Sequence, residues 1–234
     1  MSHKIKFADE DSQSSFTPET DSRRLVRDLF LHLETSRDVA IVEEFPEEIE
    51  YWSVATNGEP TLRRHTAHAS GRTRDGVHIV FEAMSLREQR SRRGLRQRTA
   101  DLQAHYARTN VRYILVDERT LHKQPAFDNL RIMWQHKRSD GQHPDIDLTA
   151  GRVLEQPLPL EIRELARRLE PDAMHGLQTV EDLCGSLVFT AVLQLAMAGV
   201  IEVDLDRPLS GSSVVRSANG LIRAGCKPRI SVAA

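Results

Sequence analysis

A pair of short strand-forming runs around a turn constrains this chain more than any other feature. Residues 62–70 and 77–83 favour extended backbone, and between them stands Arg72-Thr73-Arg74-Asp75-Gly76. Strand-like runs on either side of an Asp-Gly turn read as a β-hairpin. Further on, the apolar run 111–116, with Tyr113 at its centre, reads as a buried strand. A hairpin followed by a helix and a buried strand makes an α/β unit, with the last strand joined by a right-handed crossover.

Helical periodicity surrounds that unit. Leu25, Val26, Leu29, Phe30 and Leu33 recur at helical spacing behind Asp21 and Ser22, which predicts an amphipathic helix over 22–34. Strands are expected at 39–43 and 48–52, a second helix over about 92–108 and a third over 127–137. Residues 1–20 are polar, acidic and rich in Ser and Thr, the composition of a flexible arm. A second unit is expected after Gln156-Pro157-Leu158-Pro159, with helices at 161–169, 179–186 and 188–198, the last ended by Gly199. Residues 200–205 then alternate at period two before a turn through Pro208 and Gly211. Helices followed by a short strand and a turn form a winged-helix pattern. The organisation read from this order is an arm at 1–20, an α/β domain at 21–150 and a winged-helix domain at 151–234.

Composition bounds the function. The chain of 234 residues is long enough for one or two domains with a sizeable core. Its 32 basic and 34 acidic residues nearly cancel, so any nucleic-acid contact has to come from local clustering. Cys184 and Cys226 are too few for a disulfide framework and lack metal-ligand spacing. No apolar run approaches a membrane span, and no apolar segment follows Met1-Ser2-His3-Lys4, so a cytoplasmic protein is expected.

Several short motifs keep a common register along the chain. Arg27-Asp28-Leu29-Phe30 on the first helix is followed by Asp38-Val39, Glu44-Phe45-Pro46 and Ile49-Glu50-Tyr51. Then come Arg64-His65-Thr66-Ala67-His68, Asp75-Gly76, Glu82-Ala83-Met84, Asn129-Leu130, and a C-terminal group of Gly199, Ile201, Asp204-Leu205, Pro208-Leu209 and Ser213. This series resembles the TnsA family, the endonuclease subunit of heteromeric cut-and-paste transposases, whose pattern runs E-x-x-L-E-R-D-F, D-V, E-Q-P, I-E-Y, R-x-T-P-D and E-V-K. The resemblance implies an α/β restriction-endonuclease-like core of the PD-(D/E)xK type followed by an α-rich winged-helix domain. It also implies a setting in transposition, with double-stranded transposon-end DNA, a DDE-type transposase and an AAA-class ATPase regulator as partners.

The same resemblance marks the catalytic positions, and most are changed. The strand acid is His68, the triplet lysine is Met84, the helix glutamate is Val26 and the earlier helix acid falls near Ser22, while Glu82 remains. Magnesium held for phosphodiester hydrolysis needs several hard oxygen ligands, and valine and methionine supply none. The expectation is a filled pocket in which Glu82 meets a hydrogen-bond donor or an arginine, with no cofactor. The alternative is a rebuilt site in which His68 and Glu82, with His65 and His78, hold Mg²⁺, Mn²⁺ or Zn²⁺, or in which Arg87 or Gln97 acts in place of the lost base. Set against it, residues three apart on a strand face opposite ways, which places His65 on a solvated face and His68 as a half-buried hydrogen bonder.

Arg87, Arg90, Arg92, Arg93, Arg96 and Arg98 crowd into twelve residues and are the candidate phosphate-facing surface, with Arg92 and Arg96 on one helical face. A solvated face balanced by the acidic region 38–50 is the other reading. Arg207 and Arg216, with Ser212 and Ser213, are candidate wing contacts to a DNA backbone. Trp52, Trp134, Tyr106, Tyr113, Phe30 and Phe81 are expected in the core, and Cys184 as a small buried hydrophobe. Three roles stay open: a catalytically inactive DNA-binding subunit in transposition, an active endonuclease with a rearranged site, or a protein-interaction adaptor or domesticated regulator that no longer binds DNA.

Overall fold

Leu25, Leu29 and Leu33 lie one above another on the first helix, α1 (Asp21–Thr35), and all three are at most 2% exposed. That stripe is the reason the helix docks, since each such leucine contributes about 1.5–3 kcal/mol when fully buried. The computed structural model describes residues 21–55, 57–170 and 180–218. The arm expected at 1–20, Cys226 and Thr179 lie outside the described residues.

Beneath α1 lies a mixed sheet of four strands. Strand β1 (Val39–Glu44) is followed in the chain by a separate two-stranded ribbon, β2 (Ile49–Val54) paired antiparallel with β3 (Pro60–His65). The chain then returns to the main sheet as β4 (Ala69–Thr73), antiparallel to β1, and β5 (His78–Ala83), antiparallel to β4. Helices α2 (Leu86–Ser91) and α3 (Leu95–Ala107) lead to β6 (Val111–Val116), parallel to β5, so the order is β1-β4-β5-β6. The chain is thus a mixed α/β protein with a mixed sheet. The hairpin at Asp75-Gly76 forms as its residues suggest, Gly76 taking φ 88 where a side chain would be strained.

Two expectations are corrected here. Residues 62–70 do not form one strand: β3 ends at His65, paired with β2, and β4 begins at Ala69, paired with β1 and β5. A single straight strand cannot pair into two sheets, so the chain bends through Thr66–His68 and secures the bend by backbone. The His68 N–H donates to the Phe81 carbonyl and the His68 carbonyl accepts from Phe45, both at 3.0 Å. Nor do residues 92–108 form one helix. The helix starts earlier, at a Ser85 cap whose hydroxyl accepts from the Glu88 N–H at 3.1 Å, and breaks where Arg92 turns extended and Gly94 turns left-handed (φ 72). Arg92 and Arg96 consequently do not share a helical face.

Beyond β6 lie α4 (Glu118–Leu121), α5 (Ala126–Gln135), α6 (Asp145–Leu154), β7 (Leu160–Glu161), α7 (Ile162–Leu169), α8 (Val180–Cys184), α9 (Leu187–Met197), β8 (Ile201–Val203) and β9 (Val214–Ser217). The three short strands form an antiparallel sheet in the order β7-β9-β8. α9 is the hub: Val188, Phe189, Val192 and Leu193 are buried against Leu130 and Met133 of α5, Val153 of α6 and Leu165 of α7. Residue 150 lies within α6, whose Val153 joins this second core. The sequence signals α6 only weakly, because just Ile146, Thr149 and Val153 turn inward and Gly151 interrupts the run.

Asn129 of α5 fastens the segment after β8 to this second core. Its amide nitrogen donates to the carbonyls of Leu205 (2.9 Å) and Arg207 (2.7 Å), and its oxygen accepts from the Leu209 N–H (2.9 Å). Other expectations on burial are also corrected. Trp52 is 64% exposed and Trp134 42% exposed, the latter donating to Glu34 at 2.6 Å, and Cys184 is exposed. Tyr106, Tyr113 and Phe81 are core residues, and Phe30 is half-buried.

Candidate functional site

Strand alternation decides where Glu82 points. Ile79, Phe81 and Ala83 of β5 pack under α1, so Val80 and Glu82 face the opposite layer, built from Leu102 and Tyr106 of α3, Tyr113 of β6 and Tyr51 of β2. There Glu82 is 5% exposed. A carboxylate so buried must be neutralised and hydrogen-bonded.

Arg98 does both. Its Nη1 donates to Glu82 Oε2 at 2.9 Å and its Nη2 to Oε1 at 3.0 Å, a two-pronged pair that satisfies both oxygens. The Tyr113 hydroxyl donates to Oε2 as well. Burial works against ionisation of Glu82, but Arg98, Tyr113 and His65 outweigh it and hold its pKa below the ordinary 4.5. Burial likewise opposes the charge on Arg98, and the Glu82 carboxylate outweighs it and raises that pKa. Burial and the Glu82 charge push the Tyr113 hydroxyl far up, and Tyr106, stacked on Tyr113, up to about 12. Both phenols stay protonated across the physiological range.

His65 completes the cluster. The Arg98 Nη2 lies 3.1 Å from its Nδ1, and since a guanidinium only donates, Nδ1 is the acceptor and the neutral ring carries its proton on Nε2. That Nε2 is buried and, among the described residues, has no hydrogen-bond partner; it lies 3.8 Å from Glu82 Oε2. Burial, the largest cause, lowers the His65 pKa to about 4, with Glu82 pulling upward and Arg98 downward. The expectation that His65 sits on a solvated face is thereby overturned. Alternation fails to predict it because the strand ends at His65 instead of running on to His68.

His68 is the half-buried hydrogen bonder the sequence suggested. Its Nδ1 accepts from the Ala83 N–H at 2.9 Å, and burial lowers its pKa. Met84 is 2% exposed, and its N–H donates to the Val116 carbonyl at 3.0 Å. Val26 packs against the α1 core, and the Ser22 hydroxyl donates to Glu88 at 2.6 Å. His78 is half-buried at the far end of β5 and joins no part of this cluster.

These residues do not suit a catalytic magnesium ion. Magnesium requires several hard oxygens, and here the single carboxylate is already neutralised through both oxygens by a guanidinium. The geometry describes a closed, charge-balanced polar unit inside the core.

The arginine cluster divides accordingly. Arg98, expected on the surface with the others, is turned inward, whereas Arg87, Arg90, Arg92, Arg93 and Arg96 are exposed. Of these, Arg92 lies 3.8 Å from Glu88. The inward turn was legible: Arg98, Leu102 and Tyr106 recur every four residues, and the latter two are the buried residues of α3. Tyr113 and Glu88 were also missed as polar participants. Tyr113 shows only as a strand residue in sequence, and Glu88 as one charge among many. In the C-terminal half, Arg207 is exposed and lies 3.8 Å from Asp204, Arg216 is exposed on β9, and α9 carries no charged residue. Comparison of the sequence with protein-family models and with curated proteins finds no match.

Proposed function

We propose that this chain is a non-cleaving, DNA-binding subunit of the TnsA-like kind. It acts in the architecture or regulation of a transposition complex, on transposon-end duplex with a DDE-type transposase and an AAA-class ATPase as partners. The observation that carries the reading is the pair between Arg98 and Glu82: the one carboxylate left at a nuclease-like position is held by a guanidinium. Support for a restriction-endonuclease-like core comes from helix α1, the antiparallel set β1-β4-β5, the α3 crossover and the parallel strand β6. Support for a winged-helix relative comes from the run α6-β7-α7-α8-α9-β8-β9 with its sheet order β7-β9-β8. Because α9 is buried and uncharged, the phosphate contacts in this reading come from the exposed arginines at 87–96 and from Arg207 and Arg216.

A second reading, the protein-interaction adaptor, has its own observation. On the outer face of the β2–β3 ribbon Trp52 stands opposite Leu62 and Val54 opposite Pro60, all exposed, beside Glu50 and Glu48. An exposed aromatic-aliphatic patch of this kind marks protein contacts. Fluorescence anisotropy with labelled duplex DNA separates the two. Salt-sensitive binding supports the first reading, and no binding at low salt favours the adaptor. A plasmid-nicking assay with Mn²⁺ in which the intact chain cuts and Glu82→Ala does not would overturn the non-cleaving reading.

A further inference from the structure

Phe45 is held in a conformation that bulky residues avoid. Its φ is 46°, and Pro46 follows it, a neighbour that ordinarily confines the preceding residue to extended backbone. No burial compensates, since the side chain is 57% exposed. The conformation is imposed from outside: the Phe45 N–H donates to the His68 carbonyl at 3.0 Å, and the ring leans on Phe30 and on the edge of His68, both centroids 6.3 Å away. A half-supported aromatic ring with more than half its surface exposed is a natural anchor for a partner.

Phe45 also stands at a boundary of charge. On its own segment Glu43, Glu44, Glu47, Glu48 and Glu50 are all exposed, Glu48 and Glu50 being shared with Arg64 of β3, so that Glu43, Glu44 and Glu47 carry the strip's unbalanced charge. Across the His68 ring lies Glu88, which binds Ser22 and Arg92 and whose charge reaches His68, and there the exposed arginines 87, 90, 92, 93 and 96 begin. Among the described residues, Glu44, Glu47, Arg87, Arg90, Arg93 and Arg96 make no ion pair. Adjacent strips of opposite sign, with an exposed aromatic where they meet, form a self-complementary surface. A two-fold axis through the boundary sets each acidic strip against the basic strip of the other copy.

We infer that the chain pairs with a second copy of itself across such an axis, segment 43–50 of each copy facing segment 87–96 of the other, with Phe45 near the axis. The pairing occupies the same arginines that the DNA-binding reading uses, so duplex DNA and the second copy compete. The inference itself does not rest on DNA binding. Its test contains no DNA, so the two can fail separately.

Sedimentation of the full chain gives that test, with two surface variants, Glu44→Arg/Glu47→Arg and Arg93→Glu/Arg96→Glu. The intact chain should dimerise at low salt, with a dissociation constant at least tenfold higher at 500 mM NaCl than at 50 mM, and each variant should be monomeric. One variant has its acidic strip nearly neutralised and its basic strip intact, and the other the reverse, so an equimolar mixture should restore a dimer in which the intact strips of the two face each other. Phe45→Ser should weaken the dimer about tenfold. An intact chain that stays monomeric at 100 µM and low salt, a dimer that survives either reversal, or a mixture that fails to re-associate would each overturn the inference.

Discussion

Arg98 grips both oxygens of Glu82 from sixteen residues further along the chain, joining the central helix of one layer to the middle of the sheet below it. The pair lies in the core, with side chains 14% and 7% exposed. Removing one member of such a pair is far more damaging than removing both, because the survivor is left as an unpaired buried charge. Arg98→Met should therefore destabilise the protein by about 3–5 kcal/mol. The double variant Arg98→Met/Glu82→Gln should recover much of that loss. Urea unfolding of the three proteins measures it. A double variant no more stable than Arg98→Met alone would show that the carboxylate is not what Arg98 serves.

His65 sets a dependence on pH. Its folded pKa of about 4 lies below the ordinary 6.5, so between those values the unfolded chain binds a proton that the native protein refuses. Its contribution is present above pH 6.5 and is lost as pH falls from 6.5 towards 4, to a total of about 3 kcal/mol by linkage. Glu82, whose pKa is lowered, acts in the same sense at lower pH: its stabilisation is present above the unfolded carboxylate pKa and disappears as pH falls through the folded one. Urea midpoints for His65→Phe should fall less steeply than those of the intact chain between pH 6.5 and 4. Parallel profiles would mean that His65 takes up its proton without unfolding.

The exposed arginines make a quantitative prediction under the DNA-binding reading. Each phosphate contact contributes about 0.9 to the slope of log affinity against log salt. Arg92→Glu/Arg96→Glu should weaken binding to any duplex sequence alike and flatten that slope by about 2. Anisotropy titrations at several salt concentrations decide it. An unchanged slope would show that these side chains meet no phosphate.

Asn129 should matter more to stability than its single side chain suggests. Asn129→Ala leaves the buried Leu209 N–H unpaired and deprives the Leu205 and Arg207 carbonyls of their shared donor, at a cost of about 2–4 kcal/mol. Asn129→Asp keeps the acceptor for Leu209 but loses both donations, and it should also be destabilising. Chemical denaturation checks both, and a loss below about 1 kcal/mol for alanine would show that water takes over the three bonds.

What the sequence by itself determined is local. The helix over 22–34, the Asp75-Gly76 hairpin, the strand 111–116 and the apolar run ending at Gly199 follow from spacing and turn chemistry, which act between near neighbours. Even the inward face of Arg98 was written in its four-residue spacing from Leu102 and Tyr106. Only the tertiary structure decided that residues 62–70 split between two sheets, because pairing partners lie far away in sequence and a strand cannot serve both. The same holds for Trp52, whose alternation is that of a core strand although no layer among the described residues covers its outer side. It holds for His65 too: a strand end chosen by distant pairing turned an apparent surface histidine into a buried one beside Glu82.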